Sequence, residues 1–254
     1  MSHSLHTLVR DLKLARGRER RGLALAEGVR LIEEALSAGI TIKHVLASPA
    51  LEATVRGGAL KAALQKAGHE VVPASEKEFG ELAATEHPQG VLAVIEPPMW
   101  SLTDLEPGPR APTLVLDAVQ DPGNVGAMVR SAFALGAAGV LALPGTVEFT
   151  NPKTLRASMG GFFRLPCLGL DEAALESWVG ASGIRLLVAA VDGEPPVRTG
   201  ERPLAIVVGN EGAGTRPSLD RWADGRIGIR LRPGAESLNV GVAAGILLYE
   251  VTRE

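Results

Sequence analysis

Apolar positions along this chain follow two different rhythms on either side of a proline-rich stretch. On the N-terminal side, Val29, Ile32 and Leu36 recur at helical spacing within Glu27 to Ala38, which Gly39 stops, and ITIKHVLA after it reads as a strand. Ala59 to Ala67 predicts a second helix ended by Gly68, with EVVP as the next short strand. Ser75 to Ala84 predicts a third helix leading into GVLAVIE at 90–96. Residues 1–96 therefore read as a small α/β domain. Beyond residue 113 the runs become apolar throughout: TLVLDA (113–118), VLAL (140–143), RLLVAAV (185–191), LAIVV (204–208) and RIGIRL (226–231). Such runs are the mark of strands covered on both faces, and helical stretches at 124–135, 171–181 and 237–252 separate most of them. The prediction for 113–254 is an open, mostly parallel α/β sheet. Between the two lies PPMWSLTDLEPGPRAP, residues 97–112, whose prolines bar a helix or a central strand and predict a linker.

Composition narrows the chemistry. The 254 residues are 46% hydrophobic and 22% charged, an ordinary globular balance. No apolar run is long enough to span a membrane and the N-terminus lacks a signal-peptide core, so a cytoplasmic, membrane-free protein is expected. One cysteine, Cys167, leaves no disulfide framework and no multi-cysteine metal site, and no metal is expected. The net charge of -3 hides a local reversal. Within residues 10–21, Arg10, Lys13, Arg16, Arg18, Arg20 and Arg21 face only Asp11 and Glu19, a cationic segment suited equally to RNA phosphates or to a solvated helix face. All five histidines precede residue 90, which removes histidine triads and histidine metal sites from the sheet domain. Neither a phosphate-binding glycine-lysine loop nor a dinucleotide glycine fingerprint follows any strand.

Ligands of open α/β sheets bind beyond the carboxyl ends of strands, and three turns there carry unusual residues. In DAVQDPGNVGAMVRSAFALG (117–136), Asp121 to Asn124 make a tight turn, Asn124 is placed to cap the next helix, and Arg130 stands away from its apolar face. In VVGNEGAGTRP (207–217), Gly209, Gly212 and Gly214 surround Glu211 and let the backbone approach a flat ligand. In IRLRPGAESLNVGVAAGILLYE (229–250), Ser237 or Asn239 begins a helix rich in small residues.

Together these turns resemble the SpoU, or TrmH, family of RNA ribose 2′-O-methyltransferases in the SPOUT superfamily. The likeness lies in order and spacing: Asn124-x-Gly126-x-x-x-Arg130, Gly209-Asn210-Glu211-Gly212-x-Gly214, and Ser237-Leu238-Asn239-Val240 opening the last helix. NPKTLRASMGGFFRLP (151–166) is similar to the family segment between the first two, and residues 1–96, with LALAEGVRLIEEAL, resemble an L30-like RNA-binding domain. The resemblance implies a sheet with a trefoil knot and a homodimer joined through the last helix. It also implies S-adenosylmethionine held by Val208, Gly209, Asn210, Glu211, Gly212, Ile229, Arg230, Leu231, Leu238 and Asn239. Arg130 matches the family arginine that activates the hydroxyl, with Asn124, Glu211, Ser237 and Asn239 ordering the site. Arg230 departs from the proline common there. The implied substrate is structured RNA, ribosomal in preference to transfer RNA. Two rivals are an inactive protein that grips ribosomal RNA and an α/β enzyme using the glycine loop for another nucleotide.

Overall fold

The computed structural model describes residues 2–85, 87–196 and 202–253, so the outermost ends of both predicted domains, Met1 and Glu254, lie outside the described residues. In chain order the strands are β1 (Ala24–Glu27), β2 (Ile42–Ala47), β3 (Val71–Pro73), β4 (Val91–Ile95), β5 (Thr113–Leu116), β6 (Gly139–Ala142), β7 (Cys167–Gly169), β8 (Arg185–Glu194), β9 (Leu204–Val208) and β10 (Gly225–Ile227). The helices are α1 (Ser2–Leu12), α2 (Ala15–Arg21), α3 (Val29–Ser37), α4 (Val55–Lys66), α5 (Glu76–Leu82), α6 (Pro122–Ala134), α7 (Pro152–Ser158), α8 (Glu172–Ser182) and α9 (Val240–Thr252).

Two compact units divide the chain. The first joins residues up to Met99 with Thr150–Phe163. Its sheet has the order β1-β4-β2-β3, with β4 antiparallel to both neighbours and β3 parallel to β2. The predicted helix at Glu27 begins two residues later than expected, because Ala24–Glu27 is a wholly buried strand and Gly28 turns the chain at φ 103 before α3 starts. The Glu27 carboxylate, buried with that strand, accepts the Ala84 amide at 2.6 Å and the Thr85 hydroxyl. Leu5, Val9, Leu12, Leu25, Leu46, Phe79, Leu82 and Leu92 fill the core. Such side chains each contribute roughly 1.5–3 kcal/mol when fully buried. Within this unit α7 packs on β1.

The second unit, Trp100–Phe149 with Arg164–Glu254, carries a six-stranded, all-parallel sheet of order β10-β8-β9-β5-β6-β7. The α/β class and parallel sheet match expectation; β7, a short strand after Pro166, was not foreseen. Trp100–Pro112 belongs to this unit, and Leu105 is buried in its core. Leu105 packs on β6 at Gly139, where a Cβ would lie 2.2 Å from Leu105 Cδ2 and 2.8 Å from the Pro166 carbonyl oxygen. Strand β10 ends at Ile227 instead of Leu231. Its register against β8 jumps from Arg226–Val188 to Ile227–Glu194, so residues 189–193 bulge out of the ladder. A Cβ on Gly228 would sit 2.6 Å from the carbonyl oxygens of Ala190 and Gly193, so the bulge and the end of β10 meet backbone to backbone.

Candidate active site

Where β5 ends, the Asp117 amide donates to the Val208 carbonyl at 2.9 Å, and Ala118 takes a left-handed backbone at φ 54. A non-glycine residue there is strained, a feature that gathers at functional sites. Helix α6 is capped by Asp121, whose Oδ1 accepts the Asn124 amide at 2.7 Å, and not by Asn124 as predicted. Asp121 stands one residue before the proline that opens the helix, the better place for a cap. Asn124 is thereby free to bond elsewhere. Its Nδ2 donates to Glu211 Oε1 at 2.8 Å, and its Oδ1 accepts from Asn239 Nδ2 at 3.0 Å. Asn239 in turn caps α9, its Oδ1 taking the amides of Gly241 and Val242 at 3.0 and 3.2 Å. One chain of side-chain hydrogen bonds thus joins the three predicted segments.

The glycine segment is a tight hairpin. Asn210 and Gly214 exchange two backbone hydrogen bonds of 2.9 Å, and Asn210 Oδ1 accepts the Gly212 and Ala213 amides at 2.9 and 3.0 Å. A Cβ on Gly209 would lie 2.2 Å from the Gly214 carbonyl carbon, so glycine is required there. Beside the hairpin opens a cavity of about 540 Å³, within the range of small-ligand sites. Val208, Gly209, Asn210, Glu211 and Gly212 line it, as do Ile229, Leu231, Ser237 and Leu238.

Other predicted residues stand elsewhere. Arg230 is exposed and off the cavity wall, whereas its neighbours Ile229 and Leu231 line it. Asn239 borders a second groove of about 450 Å³ between α6 and α9, with Ala127, Ser131, Val242, Ile246 and Tyr249. Arg130, exposed on α6 one turn beyond Ala127, lies on the side of that groove and not in the cavity, and it makes no hydrogen bond or ion pair among the described residues. Ser237 is exposed and caps nothing. The sequence reading missed the opposite cavity wall, Val188 to Val191 on the β8 bulge, and the ion cluster at its rim. There Arg226 reaches Asp220 and Asp192 at 3.0 Å each, and these carboxylates raise its pKa, Asp220 foremost. Residues 185–191 read simply as a buried strand, and nothing in an apolar run marks a register jump.

The basic segment is largely spent on the fold. Arg18, 5% exposed, donates to the Leu12 and Lys13 carbonyls at 3.1 and 3.0 Å and so closes α1. Lys13 does the same for α5 through the Glu81 and Ala83 carbonyls at 3.0 and 2.8 Å, and desolvation lowers its pKa. Donors of both side chains are thus spent on helix carbonyls. Arg10 pairs with Glu81 at 3.2 Å, and Arg20 and Arg21 share Asp11 at 2.7 and 2.5 Å, all with exposed side chains. Among the cations of the segment, Arg16 alone is exposed and unpaired among the described residues.

The model of the SpoU rRNA Methylase family matches residues 111–249, and that of the MRM3-like substrate binding domain matches residues 8–93. The chain belongs to the SpoU family. A 23S rRNA (guanosine(2553)-2′-O)-methyltransferase of Bacillus subtilis, RlmP, is 33% identical over 89% of this chain and 87% of its own length. A 23S rRNA (uridine(2479)-2′-O)-methyltransferase of Streptomyces viridochromogenes is 29% identical over 93% of this chain and 85% of its own. Among solved structures, the AdoMet-bound rRNA methyltransferase of Sinorhizobium meliloti superposes with a TM-score of 0.85 at 28% identity, covering 100% of this chain and 95% of that one. The SpoU methyltransferase AviRb of Streptomyces viridochromogenes, in complex with AdoMet, gives 0.85 at 27% identity over 97% and 95%. S-adenosylmethionine is the cofactor of the SpoU family. The cavity suits it: the 209–212 hairpin lines one side, and Val188, Val208, Leu231, Leu238 and Leu247 supply apolar cover.

Proposed function

We propose that this SpoU protein transfers a methyl group from S-adenosylmethionine to a ribose 2′-hydroxyl of ribosomal RNA. The observation that carries the proposal is the Glu211–Asn124–Asn239 relay, which fastens the cavity hairpin to the starts of α6 and α9. Relatives acting on 23S rRNA, together with the match of residues 8–93 to a substrate binding domain, favour ribosomal over transfer RNA. No described helix is long and apolar enough to cross a membrane, and an RNA substrate suits the cytoplasm. The trefoil knot of the SPOUT fold and the separation of an RNA-docking domain from 113–254 are part of the same reading.

In this site, Val208 to Gly212, Ile229, Leu231 and Leu238 hold the cofactor, which supplies an electrophilic methyl group. Arg130 holds the phosphate beside the target ribose and polarises its hydroxyl. A guanidinium keeps its proton at neutral pH, so it serves better as donor and anchor than as base. Asn124, Glu211 and Asn239 keep the hairpin and α6 in register, and Ser237 offers a hydroxyl at the cavity wall. The ribose oxygen would take the methyl group with the sulfur leaving as a neutral thioether and the hydroxyl proton passing to solvent water, and alignment of that hydroxyl would supply most of the acceleration.

Two copies pair through α6 and α9 in this reading. Phe133, Val242, Ile246 and Tyr249 are exposed apolar residues on those helices, and single helix faces this apolar favour burial against a partner. Arg130 lies beside that face, which explains why one protomer does not carry it into its own cavity. The test is methyl transfer from labelled S-adenosylmethionine to ribosomal and transfer RNA, with the product nucleoside identified. Incorporation as a 2′-O-methyl nucleoside in ribosomal RNA is expected, and base methylation or exclusive labelling of transfer RNA would overturn the reading.

A further inference from the structure

Arg216 lies at the end of the second segment, beyond its glycines, and holds the exit of the cavity hairpin. Its backbone amide donates to Asp117 Oδ2 at 2.6 Å and its Nε to Asp117 Oδ1 at 2.7 Å. Nη2 lies 2.5 Å from the same Oδ1 and donates to the Pro144 carbonyl at 2.9 Å. Asp117 is 1% exposed, so this carboxylate is buried against a single cation. On its far side Arg216 faces Glu172 at 3.8 Å, a carboxylate that also takes the Ser218 hydroxyl at 2.8 Å. One guanidinium thereby gathers the ends of β5 and β6 and the start of α8. The other side of the hairpin is tied in the same place, by Asn210 Nδ2 on the Ala118 carbonyl at 3.0 Å. Both ends of the hairpin are fastened to neighbouring residues of one strand end, Asp117 and strained Ala118. Thr215 lines the cavity while Arg216 points away from it, so Arg216 acts on the cavity through the backbone alone.

We infer that Arg216 is a positioning residue for cofactor binding: its forked grip on buried Asp117 sets the shape of the 209–215 wall, and with it the affinity for S-adenosylmethionine. The inference rests on the reading of that cavity as the cofactor site. A lysine at 216 would keep the charge beside Asp117 but present one point donor in place of a planar fork.

The experiment combines calorimetry with S-adenosylmethionine and steady-state methyl transfer for three variants. These are Arg216→Lys, the charge-neutral pair Asp117→Asn with Arg216→Gln, and Leu238→Glu on the cavity wall as a control for the site itself. Arg216→Lys and the pair should each raise the Kd and KM for S-adenosylmethionine about 10-fold, while kcat at saturating cofactor and KM for RNA stay within about twofold. The pair answers the question if the lysine variant does not fold. Cofactor affinity within about twofold of the parent, beside a loss in Leu238→Glu, overturns the role of Arg216 and leaves the site intact. A joint shift of kcat and both KM values overturns it as well, because it signals general disorder. Unchanged affinity in Leu238→Glu overturns the cavity assignment, and the inference with it.

Discussion

Asn124 does its work because an amide is both donor and acceptor. Its Nδ2 serves Glu211 and its Oδ1 serves Asn239, so neither contact can be exchanged without losing the other. Asn239→Asp isolates this relay from the helix cap: a carboxylate still accepts the Gly241 and Val242 amides but cannot donate to Asn124. Its unfolding free energy should stay within about 1 kcal/mol of the parent while methyl transfer falls roughly 100-fold, as misplaced reacting groups do. Chemical denaturation alongside initial rates checks both halves. Asn124→Ala should lose activity to a similar degree, because it cuts the relay at its centre. At the N-terminus, the Arg21 guanidinium, then Arg20, holds the Asp11 carboxyl below the usual carboxylate range. A depressed carboxylate stabilises the fold above its unfolded pKa of about 3.9 and loses that contribution as pH falls through the folded value. Thermal unfolding of Asp11→Asn should therefore change less between about pH 5 and pH 2 than that of the parent.

At the scale of elements, α6 and α9 are packed on one another on one side and carry exposed apolar residues on the other. Ile246→Asp should convert a dimer to monomers in sedimentation and lower methyl transfer strongly, since Arg130 beside that face would no longer be paired with a second copy's cavity. S-adenosylmethionine binding should persist. A monomeric parent, or a fully active monomeric variant, contradicts this arrangement. The elements themselves were legible to different degrees. Long apolar runs such as LAIVV stood out as strands because both faces are covered, and β9 runs over the residues predicted, Leu204–Val208. By contrast, β1 escaped notice because ALAE is only four residues long and merges into a helical pattern at Gly28. The early end of β10 was equally hidden, since Ile229 and Leu231 are apolar for the sake of the cavity and not of a strand. Asn124 carried a cap signature, but Asp121 three residues earlier took the position and left the asparagine for the site.

For the whole molecule, the family and its chemistry were readable because three short segments keep their order, whereas the hydrogen bonds that join them were not. The partners Glu211 and Asn239 stand 87 and 115 residues from Asn124, and a local pattern carries no information at that distance. The cationic segment was ambiguous for the reverse reason. Charge is visible in sequence, but whether a cation meets RNA or a helix carbonyl is decided by packing, as Arg18 demonstrates. RNA docking by residues 8–93 therefore falls on the exposed cations, Arg16 among them, and Arg16→Glu should weaken RNA binding more than Arg18→Lys at low salt. The central claim is ribose methylation dependent on Arg130. Mass spectrometry of nucleosides released from ribosomal RNA, after incubation with S-adenosylmethionine and either the parent or Arg130→Ala, tests it most directly. One 2′-O-methylated nucleoside is expected with the parent and none with Arg130→Ala, although that variant still binds the cofactor; an equal yield from both would rule out the role of Arg130.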